Sequence, residues 1–271
     1  MATGPTAAPT DLATATYGPL VGNRWVQLAA GVAAMVVISN FQYAFTLFTP
    51  GLKETFANVP YADIALIYTL FIVFETWPLP VAGFFIDKFG IRNLMLIGSV
   101  MIFLGWTLSG TVATSVFHLY LFYGVLAGTG AGIIYISTVA NAIKWFPDKR
   151  GLAAGLTAAG FGGGSALTLI PISASINSQG WQGAMTSWGI GQGVVALAMA
   201  MILRHPPKGW APRDWVQPKA VAQTRLEFTS PQMMRQKEFY VMYAMFLMVC
   251  TGGLMTTGNM SQIAKSLDVY D

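Results

Sequence analysis

Glu75 is the one formal charge well inside a long apolar stretch, and Tyr43, Tyr135 and Asn40 are the other polar side chains placed where chemistry could occur. An ionised carboxylate moved into hydrocarbon costs several kcal/mol, from about 2.5 upward. Such a residue therefore lines a cavity, pairs with a cation or holds a proton. No Lys or Arg stands within the apolar segments around it, which leaves a proton, a polar neighbour, a solute or a cation supplied from elsewhere. Asn40 lies three residues before Tyr43, so a helix presents both on one face. An isolated membrane Tyr can also simply pack or sit in an interfacial belt. Pro78 and Pro80 follow Glu75 and should kink the helix just beyond it, opening backbone groups toward a cavity.

A second cluster is electrostatic. Gly83-Phe84-Phe85-Ile86-Asp87-Lys88-Phe89-Gly90-Ile91-Arg92 is a dense charge cluster between two long apolar stretches. Gly83 and Gly90 mark positions where the backbone bends or another helix comes close. Enzymatic constellations are missing from the pattern. His118 stands near a turn and His205 in a proline-rich stretch, with no nucleophile to pair with. Gly160-Phe161-Gly162-Gly163-Gly164 and Gly128-Thr129-Gly130-Ala131-Gly132 lack both the preceding strand and the Lys-Ser or Lys-Thr end of a phosphate cradle. The single Cys250 allows no internal disulfide and no cysteine-based metal site. No cofactor and no metal is expected.

The elements that must carry these residues are membrane helices. Of 271 residues, 54% are apolar and 10% charged, against about 25% charged in ordinary soluble domains. From Asn93 to Ile143 and from Gly151 to Leu203 there is no Asp, Glu, Lys or Arg, and each run is long enough for two crossings of about 20 residues. Breaks fall at Ala113-Thr114-Ser115 and Asn177-Ser178-Gln179-Gly180. Adding Trp25–Phe48, Asp63–Ile86 and Phe239–Gln262 gives seven helices. With the N-terminus inside, only Lys53 and Lys265 of the 15 basic residues fall outside, as cytoplasmic retention of Lys and Arg requires. The net charge of +4 thus reports topology, and no basic face for nucleic acid gathers. Gly124, Gly128 and Gly132, and likewise Gly151, Gly155, Ala159 and Gly163, recur at helical spacing, so that another backbone can approach.

Two motifs carry a resemblance. The Gly83–Arg92 element, read as G-x-x-x-D-[RK]-x-G-x-[RK] after a second membrane helix, resembles the cytoplasmic loop signature of the major facilitator superfamily. The run Lys144-Trp145-Phe146-Pro147-Asp148-Lys149-Arg150-Gly151-Leu152-Ala153, with Gly22-Asn23-Arg24-Trp25 and Gln42-Tyr43, resembles the oxalate/formate antiporter family and, more loosely, monocarboxylate carriers. The similarity spans Val21 to Gln262.

The resemblance implies an all-α membrane protein of the major facilitator fold, whose two six-helix halves hold substrate midway between them. Residues 1–20 are then a flexible tail, 21–203 an N-terminal six-helix bundle, 204–237 a cytoplasmic linker, and 238–271 the first helix of a C-terminal bundle. On that reading the chain is truncated, and the missing C-terminal half is needed for transport and supplies the anion-binding cations. Gly83, Asp87, Lys88, Gly90 and Arg92 form a conformational-switch loop in which Asp87 pairs with a neighbouring helix end. Tyr43 and Tyr135 match tyrosines of an aromatic cage around the substrate. Phe48 and Phe161 fall where that cage also has tyrosines, implying a less polar or larger substrate. Glu75 replaces a neutral amide typical of the family, which tells against a dianion unless the carboxyl is protonated. The expected function is exchange of small organic anions by alternating access in a plasma (inner) membrane, with the N-terminus cytoplasmic. Proton-coupled monocarboxylate symport is the alternative, and a seven-helix receptor fits the helix count but needs neither motif. The partners expected are a small organic anion, protons and the lipid bilayer.

Overall fold

The computed structural model describes residues 9–77, 84–86, 88–212 and 230–258, with the isolated residues 263 and 267. It divides into two units, Met1–Arg213 and Asp214–Asp271. In the first, α1 (Pro9–Val21) precedes α2 (Arg24–Tyr43), α3 (Phe45–Thr55), α4 (Tyr61–Thr76), α5 (Ile91–Thr111) and a short α6 (Val116–Leu119). A π-helical segment (Tyr120–Ala127) then runs into α7 (Gly128–Trp145) and α8 (Arg150–Ile202). The second unit holds α9 (Ser230–Met233) and α10 (Lys237–Gly258), the latter carrying the free Cys250. Among the described residues there is no strand, as hydrocarbon demands of a segment that must satisfy its own backbone. Five helical stretches among them are long and apolar enough to span a bilayer: Arg24–Thr55, Ile91–Thr111, Val116–Trp145, Arg150–Ile202 and Lys237–Thr256.

Expected boundaries shift in three places. The first membrane helix bends at Ala44, and the carbonyls before the bend lose helical partners. The buried Tyr123 hydroxyl donates to one of them, that of Phe41. Residues 9–21, expected to be loose tail, form a helix whose Ala13 is fully buried beside Leu28, Trp145 and Phe146. A Cβ on Gly22 would reach 2.5 Å from the Ala13 carbonyl, so the chain folds back tightly there. The break expected at 177–180 is a single residue. Gly180 takes φ +73°, a left-handed conformation that side chains disfavour, and it divides α8 into two limbs. Unbroken, 53 residues would run about 80 Å, far more than a bilayer core.

The core between these helices is aromatic. Phe41 and Phe48 pack on Trp106 at centroid distances of 4.4 and 5.5 Å, and Phe45 and Phe71 meet Tyr123 at 5.4 and 5.6 Å. Such tilted and edge-on pairs add about 0.5–1.5 kcal/mol each beyond area burial. Glycines set the helix spacing. A Cβ on Gly128 would sit 2.7 Å from the Phe71 carbonyl oxygen, and one on Gly132 would collide with that of Glu75. Gly98 and Gly130 each abut the other's carbonyl, at 2.9 and 2.8 Å. Of the stripe expected on the first limb of α8, Gly151, Gly155 and Gly163 meet nothing within 4 Å. The face that packs is set by Gly160, against Val32 and Met35, and Gly164, against Val36 and Ser39.

The bundle is also tied at its ends. Arg24 Nη1 donates to both Asp148 oxygens at 2.9 and 3.0 Å, and its guanidinium lies 4.8 Å from the Phe146 ring. Gln27 Nε2 donates to the Val21 and Ile202 carbonyls while its Oε1 accepts from the Arg204 N–H, and Trp145 Nε1 donates to the Arg204 carbonyl. At the opposite end Trp181 Nε1 donates to Thr55 Oγ1 at 2.8 Å.

Candidate functional site

Four helices deliver one side chain each to a single cluster. Tyr43 ends α2, Glu75 lies one residue before the end of α4, Tyr135 sits two turns into α7, and Phe161 lies on the first limb of α8. The Phe161 ring meets Tyr43 at 5.6 Å and 60°, and Tyr135 at 5.3 Å and 87°, edge-to-face geometries that set the hydrogen-bearing rim of one ring on the electron-rich face of the next. Both tyrosine hydroxyls lie within electrostatic reach of Glu75. Gly132 puts α7 against the Glu75 main chain, and Tyr135 follows nearly one turn further on. Gly160 seats α8 on α2, and its neighbour Phe161 reaches Tyr43.

Glu75 is only 7% exposed, and among the described residues its Oε1 has no hydrogen-bond partner. A buried acceptor left unpaired is disfavoured. The rings of Tyr43, Tyr135 and Phe161 are half-buried. The cluster offers two phenolic donors, one carboxyl and an apolar face, without a fixed positive charge among its own residues. It can hold a proton on the carboxyl, and it can donate from phenols to a carboxylate.

The other expected site residues part company. Asn40, 1% exposed, accepts from the Thr168 hydroxyl and lines a separate cavity of about 540 Å³ between α2 and both limbs of α8. Phe48 is a correction: fully buried and edge-on to Trp106, it belongs to the aromatic core, because the bend at Ala44 turns α3 and its side chains into the bundle interior. Of the switch loop, Gly83 and Asp87 lie outside the described residues, as do Pro78 and Pro80. Lys88 Nζ stands 5.8 Å from the Phe84 ring and 5.5 Å from the Phe89 ring, and Gly90 takes φ +77° just before α5, with Arg92 exposed as its second residue.

Two features escaped the sequence reading. The Arg24–Asp148 pair joins Gly22-Asn23-Arg24-Trp25 to the Trp145–Ala153 run, so the two motif fragments are one structural joint. Opposite charges in two segments expected on the same side of the membrane were the available signal. Gln192, 5% exposed with both amide atoms lacking a partner among the described residues, had no signal beyond being an amide in a charge-free run.

A model of the Major Facilitator Superfamily matches residues 29–269. The oxalate:formate antiporter of Oxalobacter formigenes is 37% identical over 248 residues, covering 92% of this chain and 57% of that protein. An uncharacterized MFS-type transporter of Escherichia coli is 25% identical over 92% of this chain and 60% of its own length. Human monocarboxylate transporter 14 is 33% identical over 50% of this chain and 26% of its own. The chain thus spans somewhat more than half the length of the first two.

Proposed function

The chain, a multi-pass membrane protein, belongs to the major facilitator superfamily, and on that premise we propose that it moves small organic carboxylates by alternating access, as an oxalate/formate-type exchanger and not an enzyme. Residues 21–203 act as the N-terminal bundle, 204–237 as the cytoplasmic linker and 238–271 as the opening of the C-terminal bundle. The N-terminus is cytoplasmic and the membrane is the inner (plasma) membrane. The 37% identity to an antiporter of that name, over 92% of this chain, supports the substrate class.

The observation that carries the site assignment is the buried Glu75 carboxyl, whose Oε1 has no partner among the described residues, together with two tyrosines that share one phenylalanine. Tyr43 and Tyr135 donate to a carboxylate substrate, and Phe161 covers its apolar part. Asn40 serves from the neighbouring cavity between α2 and α8. Gly83, Asp87, Lys88, Gly90 and Arg92 form the switch loop, biasing one conformational state over the other through charge contacts at a helix end.

Glu75 also favours a second reading, proton-coupled monocarboxylate symport. A proton on Glu75 removes the like charge that would oppose the substrate anion, and the anion in turn favours the proton. In the full-length carrier, Glu75→Gln should abolish the pH dependence of net uptake while leaving substrate-for-substrate exchange within about threefold. Labelled formate, lactate and oxalate uptake in proteoliposomes between pH 5 and 8 reads this directly. An unchanged pH profile would remove Glu75 from the coupling.

A further inference from the structure

Two arginines meet at one end of the bundle without a counter-charge. α5 and the second limb of α8 pack antiparallel, and their glycines record the register. A Cβ on Gly110 would meet Thr186, one on Gly189 would meet Thr107, and one on Gly193 would meet Phe103. Each step along α5 is thus matched by an equal step back along α8. Continued to the helix ends, the same register sets Arg92, the second residue of α5, level with Arg204, which follows the last turn of α8. Arg92 also lies eleven residues before Phe103, about three whole turns, and so returns to the seam between the two helices. The Arg204 guanidinium is held there by bonds from Nη1 to the Met201 and Leu203 carbonyls at 2.7 and 2.8 Å. Burial first, and the Arg92 charge second, hold it below its ordinary pKa.

No acid on either helix balances the pair. From Lys88 to Pro147 and from Lys149 to Arg213 the chain has no Asp or Glu. Asp148, at the same end, is taken by Arg24. Arg92 is exposed and makes no hydrogen bond or ion pair among the described residues. Like charges brought level repel, and a charge kept only to fix topology is indifferent to register. The surroundings name what would draw the two together. Both arginines stand within two residues of the ends of segments long and apolar enough to cross a bilayer, which is the depth of lipid headgroups. Beside the seam, Ile97, Val100 and Leu104 of α5 and Ile190, Val194 and Met201 of α8 are exposed. At 100° per residue all six fall on one flank of it, an apolar strip that leads away from the cations and suits acyl chains.

We propose that the seam between Arg92 and Arg204 binds the phosphate of an anionic phospholipid whose acyl chains lie along the exposed flank of α5 and α8. Guanidinium forks take phosphate oxygens in pairs, and one phosphate set between two arginines offsets their repulsion. Basic pockets between membrane helices suit such headgroups. A zwitterionic lipid brings its own cation and leaves the excess charge uncompensated. The site needs neither the ring cluster nor a transported carboxylate.

The test uses purified full-length protein in detergent, titrated with dioleoylphosphatidylglycerol or dioleoylphosphatidylcholine and read by native mass spectrometry as the affinity of the first bound lipid. The anionic lipid should bind at least about tenfold more tightly than the zwitterionic one. Arg92→Gln and Arg204→Gln should each weaken the anionic lipid by about fivefold, the worth of one basic residue beside an anionic headgroup. Lys149→Gln removes a charge from the same end, at the head of the first limb of α8, and should change that affinity by less than about twofold. Arg204 also closes the end of α8; Arg92 makes no such bonds, so its variant keeps the test decisive if Arg204→Gln does not fold. Equal affinity for the two lipids, an unchanged affinity in Arg92→Gln, or an equal loss in Lys149→Gln would each overturn the assignment, the last by tracing the attraction to diffuse surface charge. Displacement of the lipid by millimolar inorganic phosphate would overturn it too, leaving a site for free phosphate.

Discussion

Gly124, Gly128 and Gly132 line one helix face, and Gly151, Gly155 and Gly163 line another at the same spacing, yet they end in opposite surroundings. On the first, a Cβ would sit 2.8 Å from Leu70 Cβ, 2.7 Å from the Phe71 carbonyl oxygen and in collision with that of Glu75. On the second, it would meet nothing within 4 Å. A glycine row announces a missing side chain and says nothing about whether a partner fills the space. The π segment and α7 use the absence to sink the α4 main chain close. The first limb of α8 packs on α2 through Gly160 and Gly164 instead, and keeps Gly151, Gly155 and Gly163 as a smooth outer strip.

Gly132→Val should produce the largest effect, because the obstacle is main chain and cannot swing aside. A loss of about 3 kcal/mol and displacement of Glu75 from the ring cluster are expected, read as a fall in thermal unfolding temperature in detergent. Gly160→Val is intermediate, since its nearest neighbour is the Val32 Cγ1 at 2.9 Å. About 1–2 kcal/mol should go, with the Phe161 contact to Tyr43 loosened. Gly155→Ala should cost nothing and gain up to about 1 kcal/mol from helix propensity. A clear loss of stability at position 155 would mean that the outer strip is covered after all, and the contrast between the two faces would collapse.

How much of this was readable beforehand follows the same division. Charge-free runs and the placement of basic residues located the helices, because hydrocarbon penalises charge strongly enough to leave a record in composition. Glu75 stood out for the same reason. The bend at Ala44 did not, since nothing in Phe41–Phe48 is more hostile to a helix than its neighbours, and the misplacement of Phe48 followed from running one straight helix through it. Tyr43, Tyr135 and Phe161 were reached by likeness to a family and not by spacing; their meeting depends on where Gly132 and Gly160 let helices approach. Four-residue repeats on α8 were ambiguous for a geometric reason. Two rows one residue apart, 151/155/159/163 and 160/164, read equally well on paper, and only one faces α2.

The π segment from Tyr120 to Ala127 acts on the straight row as a vernier. In an α-helix each four-residue step overshoots a full circle by about 40°, so three glycines spaced by fours would spiral off a straight partner. A π turn is wider, its hydrogen bonds closing five residues apart, and the same step undershoots. Gly124 to Gly128 is taken in the wide turn and Gly128 to Gly132 in the narrow one, so the two errors oppose each other. Deleting one residue between 120 and 122 would restore an ordinary helix, in which both four-residue steps overshoot a full circle by about 40° in the same direction. The glycine row would then spiral off the straight face of α4.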